Sequence, residues 1–144
     1  MTSSVDFSKF GKLFQESLVQ LLLEDRPFCD QMQEVLDVTF FELKYLRVFV
    51  SKIYDYRKKY GVHPTKQILA SILRTELEFH NDALQKQVRD YFSRICIVAV
   101  RDEEYIKDTS LDFCKKQKLK EALMQSVDLI QSSSYEEVRK VIDD

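Results

Sequence analysis

Glycine and proline are scarce in this chain of 144 residues, which contains two of each. Tight hairpins and phosphate-cradling loops depend on glycine, and turns between strands depend on both residues. Neither Gly11 nor Gly61 lies at the spacing of a GxxxxGK[ST] nucleotide-binding loop. The composition therefore predicts an all-α fold and excludes a phosphate loop of this type from the sequence.

Patterns that bind metals or supply nucleophiles are also missing. The cysteines, Cys29, Cys96 and Cys114, are scattered without a CxxC spacing, which is typical of reduced thiols that pack as small hydrophobes. His63 and His80 are isolated, so there is no HExxH motif, and we interpret both as surface residues. A Cys–His pair formed only in space stays open. We expect no catalytic, cofactor-binding or metal-binding residue here, and no enzyme activity.

A surplus of positive charge is missing too. The 22 basic and 24 acidic residues give a net charge of −2, which argues against a dedicated nucleic-acid binder. A local basic patch stays open at residues 115–120, although we favour a solvated helix face there. The longest apolar clusters are too short to span a bilayer, and no signal peptide is predicted at the amino terminus. These features predict a cytoplasmic protein without membrane contact.

Apolar residues recur every three or four positions along most of the chain, which is the period of an amphipathic helix. We predict helices from Phe7 to about Asp25, from Pro27, over residues 40–60, from Pro64, and from Asn81 to about Ile95. The third helix is apolar over a wide arc, so we place it at the centre of the fold. Its aromatic residues, Tyr56 and Tyr60 among them, are interpreted as core and not as a base-stacking platform. The run at residues 95–100 is interpreted as a helix end and buried connector.

A long helical region follows at residues 102–131, and its apolar stripe changes direction. Ile106 and Phe113 share one face. Four further apolar residues lie roughly a quarter-turn away: Leu119, Leu123, Val127 and Ile130. Either the helix is interrupted near Thr109–Ser110, or it has one face for its own core and one for another body. We treat these four residues as candidate self-association contacts, and the alternative that they complete the domain's own core stays open.

We divide the chain into a compact bundle of about six to seven helices and a carboxyl-terminal extension. The bundle covers residues 1–101, residues 102–131 form a helical arm or hairpin of the same domain, and residues 132–144 start a last helix. Ser134–Glu137 resembles a capping box for that helix. Because Asp143 and Asp144 oppose the dipole of a helix end, we expect the natural chain to continue.

Two segments resemble replicative DNA helicases of the DnaB type. The first runs through Phe14–Asp25, Thr39–Phe49 and Tyr60–Thr65. It has the family's apolar helix ending in an acidic pair, a Phe leading into a long helix, and a Gly-x-x-Pro-like start of the next helix. The second comprises Ser110–Leu123 and Tyr135–Val138 and is similar to the stretch before the linker in phage helicases. The resemblance covers nearly the whole chain, but its motifs are helical patterns without a catalytic signature.

The resemblance implies a non-catalytic amino-terminal domain with a projecting helical hairpin. Such domains pair with one another, form a collar above a hexameric ATPase ring, and help to engage primase or a helicase loader during DNA replication. The resemblance also implies that residues 132–144 are the truncated start of a linker helix that docks on the neighbouring subunit's motor. The candidate docking residues are then Tyr135, Val138, Val141 and Ile142. The motor is absent from this chain, so ATP, Mg²⁺ and nucleic acid are expected to bind only there. If the protein is phage-encoded, it acts in the host cytoplasm. The alternative is a free-standing helical adaptor, such as a phage helicase loader or a factor that binds a host protein.

Overall fold

The computed structural model describes residues 5–132 and 139–142 and contains helices and no strand within those ranges. Its six long helices are α1 (Lys12–Glu24), α2 (Arg26–Gln33), α3 (Lys44–Tyr60), α4 (Lys66–Thr75), α5 (Asp82–Ile95) and α6 (Glu103–Gln131). Short 3-10 turns at Ser8–Phe10 and Val38–Phe40 precede α1 and α3. Residues 139–142 are helical as well. The prediction of an all-α helical bundle is confirmed.

Local sequence signals set several helix ends. The side chains of Asp25, Thr65 and Asn81 each accept a hydrogen bond from the backbone N–H three residues later, at 3.0, 3.1 and 2.8 Å. Gly61 ends α3 in the left-handed conformation, with a φ of +71° that glycine adopts without strain. Gly11, with a φ of +88°, separates the first 3-10 turn from α1, so the first predicted helix forms in two pieces.

Helices α1 and α3 together form the centre of the fold. Nine of the 13 residues of α1 are buried, and the helix contacts α2, α3 and α6. Helix α3, which the sequence places at the centre, contacts α1, α4 and α5, but its buried residues stop at Ile53 and its last two turns extend past the core. Tyr56 is half-buried there and Tyr60 is exposed. The wide apolar arc of α3 therefore continues beyond the part of the helix that lies in the core.

One aromatic cluster joins distant parts of the chain. The fully buried ring of Phe7 lies 4.9–6.3 Å, between centroids, from five other phenylalanine rings: Phe10, Phe14, Phe40, Phe41 and Phe113. These rings come from the amino-terminal segment, α1, the approach to α3, and α6. The cluster therefore fixes the first half of α6 against the bundle.

A buried carboxylate ties three helices together. Glu16 of α1 accepts hydrogen bonds from the hydroxyl of Tyr45 on α3 and from both terminal nitrogens of Arg94 on α5, the latter at 2.8 and 3.0 Å. The hydroxyl of Tyr91 donates to the backbone carbonyl of Glu16. Burial raises the pKa of the carboxyl group, but the hydrogen bonds and the charge of Arg94 outweigh burial and lower it. Glu16 is therefore ionised within the helix packing.

The connector between α5 and α6 is exposed, so its interpretation as buried is wrong. Ile97 and Val98 both lie on the surface. The buried side-chain amide of Gln20 on α1 donates to the carbonyls of Val98 at 2.5 Å and Ile95 at 3.4 Å. These backbone contacts hold the exposed part of the segment against α1, because the last carbonyls of a helix need a donor, and Val100 packs against the core beyond it.

Candidate interaction surface

Helix α6 is continuous, so the predicted interruption near Thr109–Ser110 does not occur. Its buried residues all lie in its first half: Ile106, Ser110, Phe113 and Cys114. From Lys115 to Gln131 every side chain is exposed or half-buried. The first half of α6 therefore belongs to the core, and the second half forms an arm that extends beyond it.

The arm carries the four apolar residues that the sequence singles out, and we call them the far-face stripe: Leu119, Leu123, Val127 and Ile130. Their side chains are between 44% and 63% exposed, and none belongs to the hydrophobic core. At 100° per residue, the centre of the stripe lies about a third of a turn from the centre of the buried face of α6. The stripe therefore does not complete the domain's own core. Its role in self-association stays a prediction.

The basic run at residues 115–120 flanks the start of the stripe. Lys116 forms an ion pair with Asp112 at 2.9 Å. Lys118 donates to the backbone carbonyl of Glu34 at 3.1 Å, across the loop that follows α2. Two of the lysines thus contact their own chain, as expected for a solvated helix face.

The candidate linker residues are only partly covered by the structure. Tyr135 and Val138 lie outside the described residues, as does the proposed capping box at Ser134–Glu137. Val141 is half-buried and Ile142 is exposed within the helical segment 139–142. Docking of this segment on another subunit stays a prediction.

The buried cysteines behave as packing groups. Burial raises the pKa of the Cys29 thiol to about 11 and that of Cys114 to about 12. Both are therefore protonated at neutral pH, and a protonated thiol is a poor nucleophile. Cys96 is exposed at the end of α5. Within residues 5–132 and 139–142, no three potential metal ligands cluster, and none of the helices has the length and apolar character needed to cross a membrane.

His63 is half-buried, and its interpretation as a surface residue is wrong. Its Nε2 lies 2.7 Å from the carbonyl oxygen of Leu23, and its Nδ1 lies 2.6 Å from a terminal nitrogen of Arg57. A neutral ring protonated at Nε2 satisfies both contacts, whereas a second proton at Nδ1 would face the Arg57 donor. Burial lowers the pKa of His63, the Leu23 carbonyl opposes this, and the charge of Arg57 adds to the lowering. The short loop between α3 and α4 places the ring there because it folds over the end of α1.

We predict that His63 makes the fold less stable in mild acid. The unfolded chain binds a proton near the ordinary histidine pKa of 6.5, and the folded chain binds it only at lower pH. The free energy of unfolding is therefore highest above pH 6.5 and decreases as the pH falls through the lowered value. Between pH 8 and pH 5.5, the free energy of unfolding measured by urea denaturation should decrease less for His63→Gln than for wild type. Equal losses in the two proteins would contradict the prediction.

The far-face stripe is the described feature that best fits a functional surface, because it is apolar, regular and without a partner in the core. No protein-family model, curated protein or solved structure matches the chain.

Proposed function

We propose that this chain is a non-catalytic assembly domain that pairs with a second copy of itself through the far-face stripe. The observation that carries the proposal is the row of four half-exposed apolar side chains on the side of α6 turned away from the core. Contiguous apolar surfaces on soluble proteins usually mark contacts with another molecule. Burial of the row in a dimer would remove its apolar side chains from water.

The spacing of the stripe favours an antiparallel pair of arms. Intervals of four, four and three residues make it nearly symmetric about its middle, so Leu119 of one copy would meet Ile130 of the second, and Leu123 would meet Val127. The same surface is then used by both copies, as a two-fold dimer requires. The basic run lies at one end only, and a parallel pair would place the two runs side by side. Like charges disfavour that arrangement.

The size of the stripe limits the strength of pairing. Its eleven residue steps span about 17 Å at 1.5 Å per residue. An interface built on this length is smaller than the roughly 1,200–2,000 Å² buried in stable complexes. We therefore expect the isolated chain to dimerise with a dissociation constant on the order of 10 μM.

At a finer level, we propose that the assembly is the collar of a DnaB-type replicative helicase. The support is the resemblance of the segments Phe14–Asp25, Thr39–Phe49, Tyr60–Thr65 and Ser110–Leu123 to that family. In that setting a dimer of this domain would be a unit of a hexamer. Primase or a helicase loader would be the further partner, and ATP and Mg²⁺ would bind the motor that follows.

A free-standing adaptor is the second candidate, and a separate observation favours it. Phe79, in the turn between α4 and α5, and Ile97, after α5, are the two most exposed large apolar side chains described, and both lie outside α6. They offer contacts to a protein of a different kind. An adaptor of this type would stay monomeric and bind its partner away from the arm.

Two neighbouring residues on the arm allow a matched test of the assembly function. Leu123 is 58% exposed and lies on the stripe, whereas Met124 is 55% exposed and lies about 100° round the helix. We expect Leu123→Glu to weaken dimerisation by about 100-fold or more, because each dimer contains the change twice. Met124→Glu should dimerise like wild type. Sedimentation equilibrium of the three proteins measures the effect.

Two results would count against the proposal. One is a wild-type chain that stays monomeric at millimolar concentration, and the other is equal weakening by Leu123→Glu and Met124→Glu. The finer proposal has its own test in the gene beyond codon 144. A strand, a GxxxxGK[ST] loop and a helix in the same frame would support the helicase collar. A stop codon directly after Asp144 would leave the adaptor as the better account.

A further inference from the structure

Positive charge is concentrated on one helix of this acidic protein. Helix α3 contains six basic residues (Lys44, Arg47, Lys52, Arg57, Lys58 and Lys59) and one acidic residue, Asp55, which gives it a net charge of +5. The whole chain has a net charge of −2. The small net negative charge of the whole chain therefore does not show that one of its helices is strongly basic.

The cations at the end of α3 divide into two groups. Arg57 pairs with Asp30 on α2, and Lys52 pairs with Glu76 after α4 at 3.6 Å. Lys58 and Lys59 are exposed, and neither takes part in any of the ion pairs among residues 5–132 and 139–142. Their ammonium groups are available to an anion from solution.

An aromatic pair, with Tyr60 exposed and Tyr56 half-buried, lies beside Lys59 at the end of the helix. The ring of Tyr60 is 58% exposed, and the ring of Tyr56 lies 4.8 Å from it between centroids, tilted by 43°. The Nζ of Lys59 lies 5.4 Å from the Tyr60 centroid. The interpretation of these tyrosines as core residues is therefore wrong for Tyr60. An aromatic ring kept in water beside a lysine that forms no ion pair is a surface feature that folding alone does not require.

We propose that the carboxyl-terminal end of α3 binds single-stranded nucleic acid. A base would stack on the exposed part of the Tyr60 ring, which Tyr56 contacts from the side, and Lys59 would contact a phosphate next to that base. Stacking on aromatic rings combined with cations along the backbone is the general mode of sequence-independent single-strand binding. Exposed, unstacked bases are needed for it, so duplex DNA should bind more weakly. The site is distinct from the far-face stripe and does not depend on dimerisation.

Fluorescence anisotropy with labelled oligo(dT) of about 16 nucleotides tests the site on the 144-residue chain at low ionic strength. We expect Tyr60→Ala to weaken binding by about 5- to 100-fold and Tyr60→Phe to keep the wild-type affinity, because phenylalanine retains the stacking face. Lys59→Gln should reduce the slope of log K against log salt by about 0.7, the value of one phosphate contact on a single strand. The chain has seven tyrosines and no tryptophan, so the part of the tyrosine quenching on oligo(dT) binding that Tyr60→Phe abolishes reports stacking at Tyr60.

Matched controls distinguish binding at the end of α3 from binding elsewhere on the chain. Lys115→Gln/Lys116→Gln removes two exposed lysines from α6 and should leave the affinity unchanged, and Leu123→Glu should do the same. Thermal melts establish that each variant is folded. The proposal is overturned if oligo(dT) does not bind, if Tyr60→Ala binds like wild type, or if only the α6 lysines matter. Binding of duplex DNA as tightly as oligo(dT) would also overturn the proposal. Binding of poly-glutamate as tightly as oligo(dT) at the same residues would overturn it in favour of an acidic protein partner.

Discussion

Replacement of Phe7 by alanine is expected to lower the free energy of unfolding by about 4 kcal/mol, the largest effect of any single change considered. The ring is fully buried and touches five other phenylalanine rings, so its removal leaves a cavity that no single neighbour can fill. In a chain of this size the melting temperature should fall by about 15 °C. The first half of α6 loses its anchor at the same time, because the ring of Phe113 packs against that of Phe7 with a centroid distance of 4.9 Å.

Two controls make the Phe7 prediction specific. Phe7→Leu keeps most of the volume and should cost less than about 1.5 kcal/mol. Phe79→Ala removes the same ring from a position that is 91% exposed, and should change stability by about 0.5 kcal/mol or less. Urea denaturation of the three variants measures the differences. A similar loss for Phe7→Ala and Phe79→Ala would show that the cluster does not hold the fold together.

The helical architecture could be predicted because its signals are local. Asp25, Thr65, Asn81 and Gly61 act on backbone groups within a few residues of themselves, so their patterns are legible in the sequence. The direction of the stripe on α6 could be predicted for the same reason, since it depends only on the period of one helix. Which part of α3 lies in the core depends on the packing of all the helices, so the period of α3 alone could not show that its burial stops at Ile53.

The network around Glu16 could not be predicted from the sequence. Its partners Tyr45 and Arg94 lie 29 and 78 positions away along the chain. A glutamate on an amphipathic helix usually faces water, and no local pattern marks this one as buried. The exposure of Tyr60 could not be predicted either, because the apolar period of α3 continues past the point where the helix leaves the core. In both cases the tertiary fold, and not the helical period, determines whether the side chain is buried or exposed.

Glu16→Ala is expected to lower the free energy of unfolding by about 3 kcal/mol. The change leaves the buried hydroxyl of Tyr45 without its acceptor and removes the bidentate partner of Arg94. Loss of one partner from a buried ion pair can cost about 3–5 kcal/mol, but the Arg94 side chain is 50% exposed and can turn to water, so the lower end applies. Asp90→Ala, in the exposed pair with Lys86, is the matched control and should cost about 0.5 kcal/mol or less.

The Glu16 network also predicts a dependence on pH whose sign follows from the lowered pKa. The unfolded carboxyl group titrates near 4.5 and the folded one below that value, so the stabilisation is complete above pH 4.5 and is lost as the pH falls through the folded value. Glu16→Gln keeps an acceptor for Tyr45 but has no charge to lose. The difference in the free energy of unfolding between wild type and Glu16→Gln should therefore be largest at neutral pH and become smaller in acid. A deficit that stays constant from pH 7 to pH 3 would mean that side-chain shape, and not the ionised carboxylate, holds α1, α3 and α5 together.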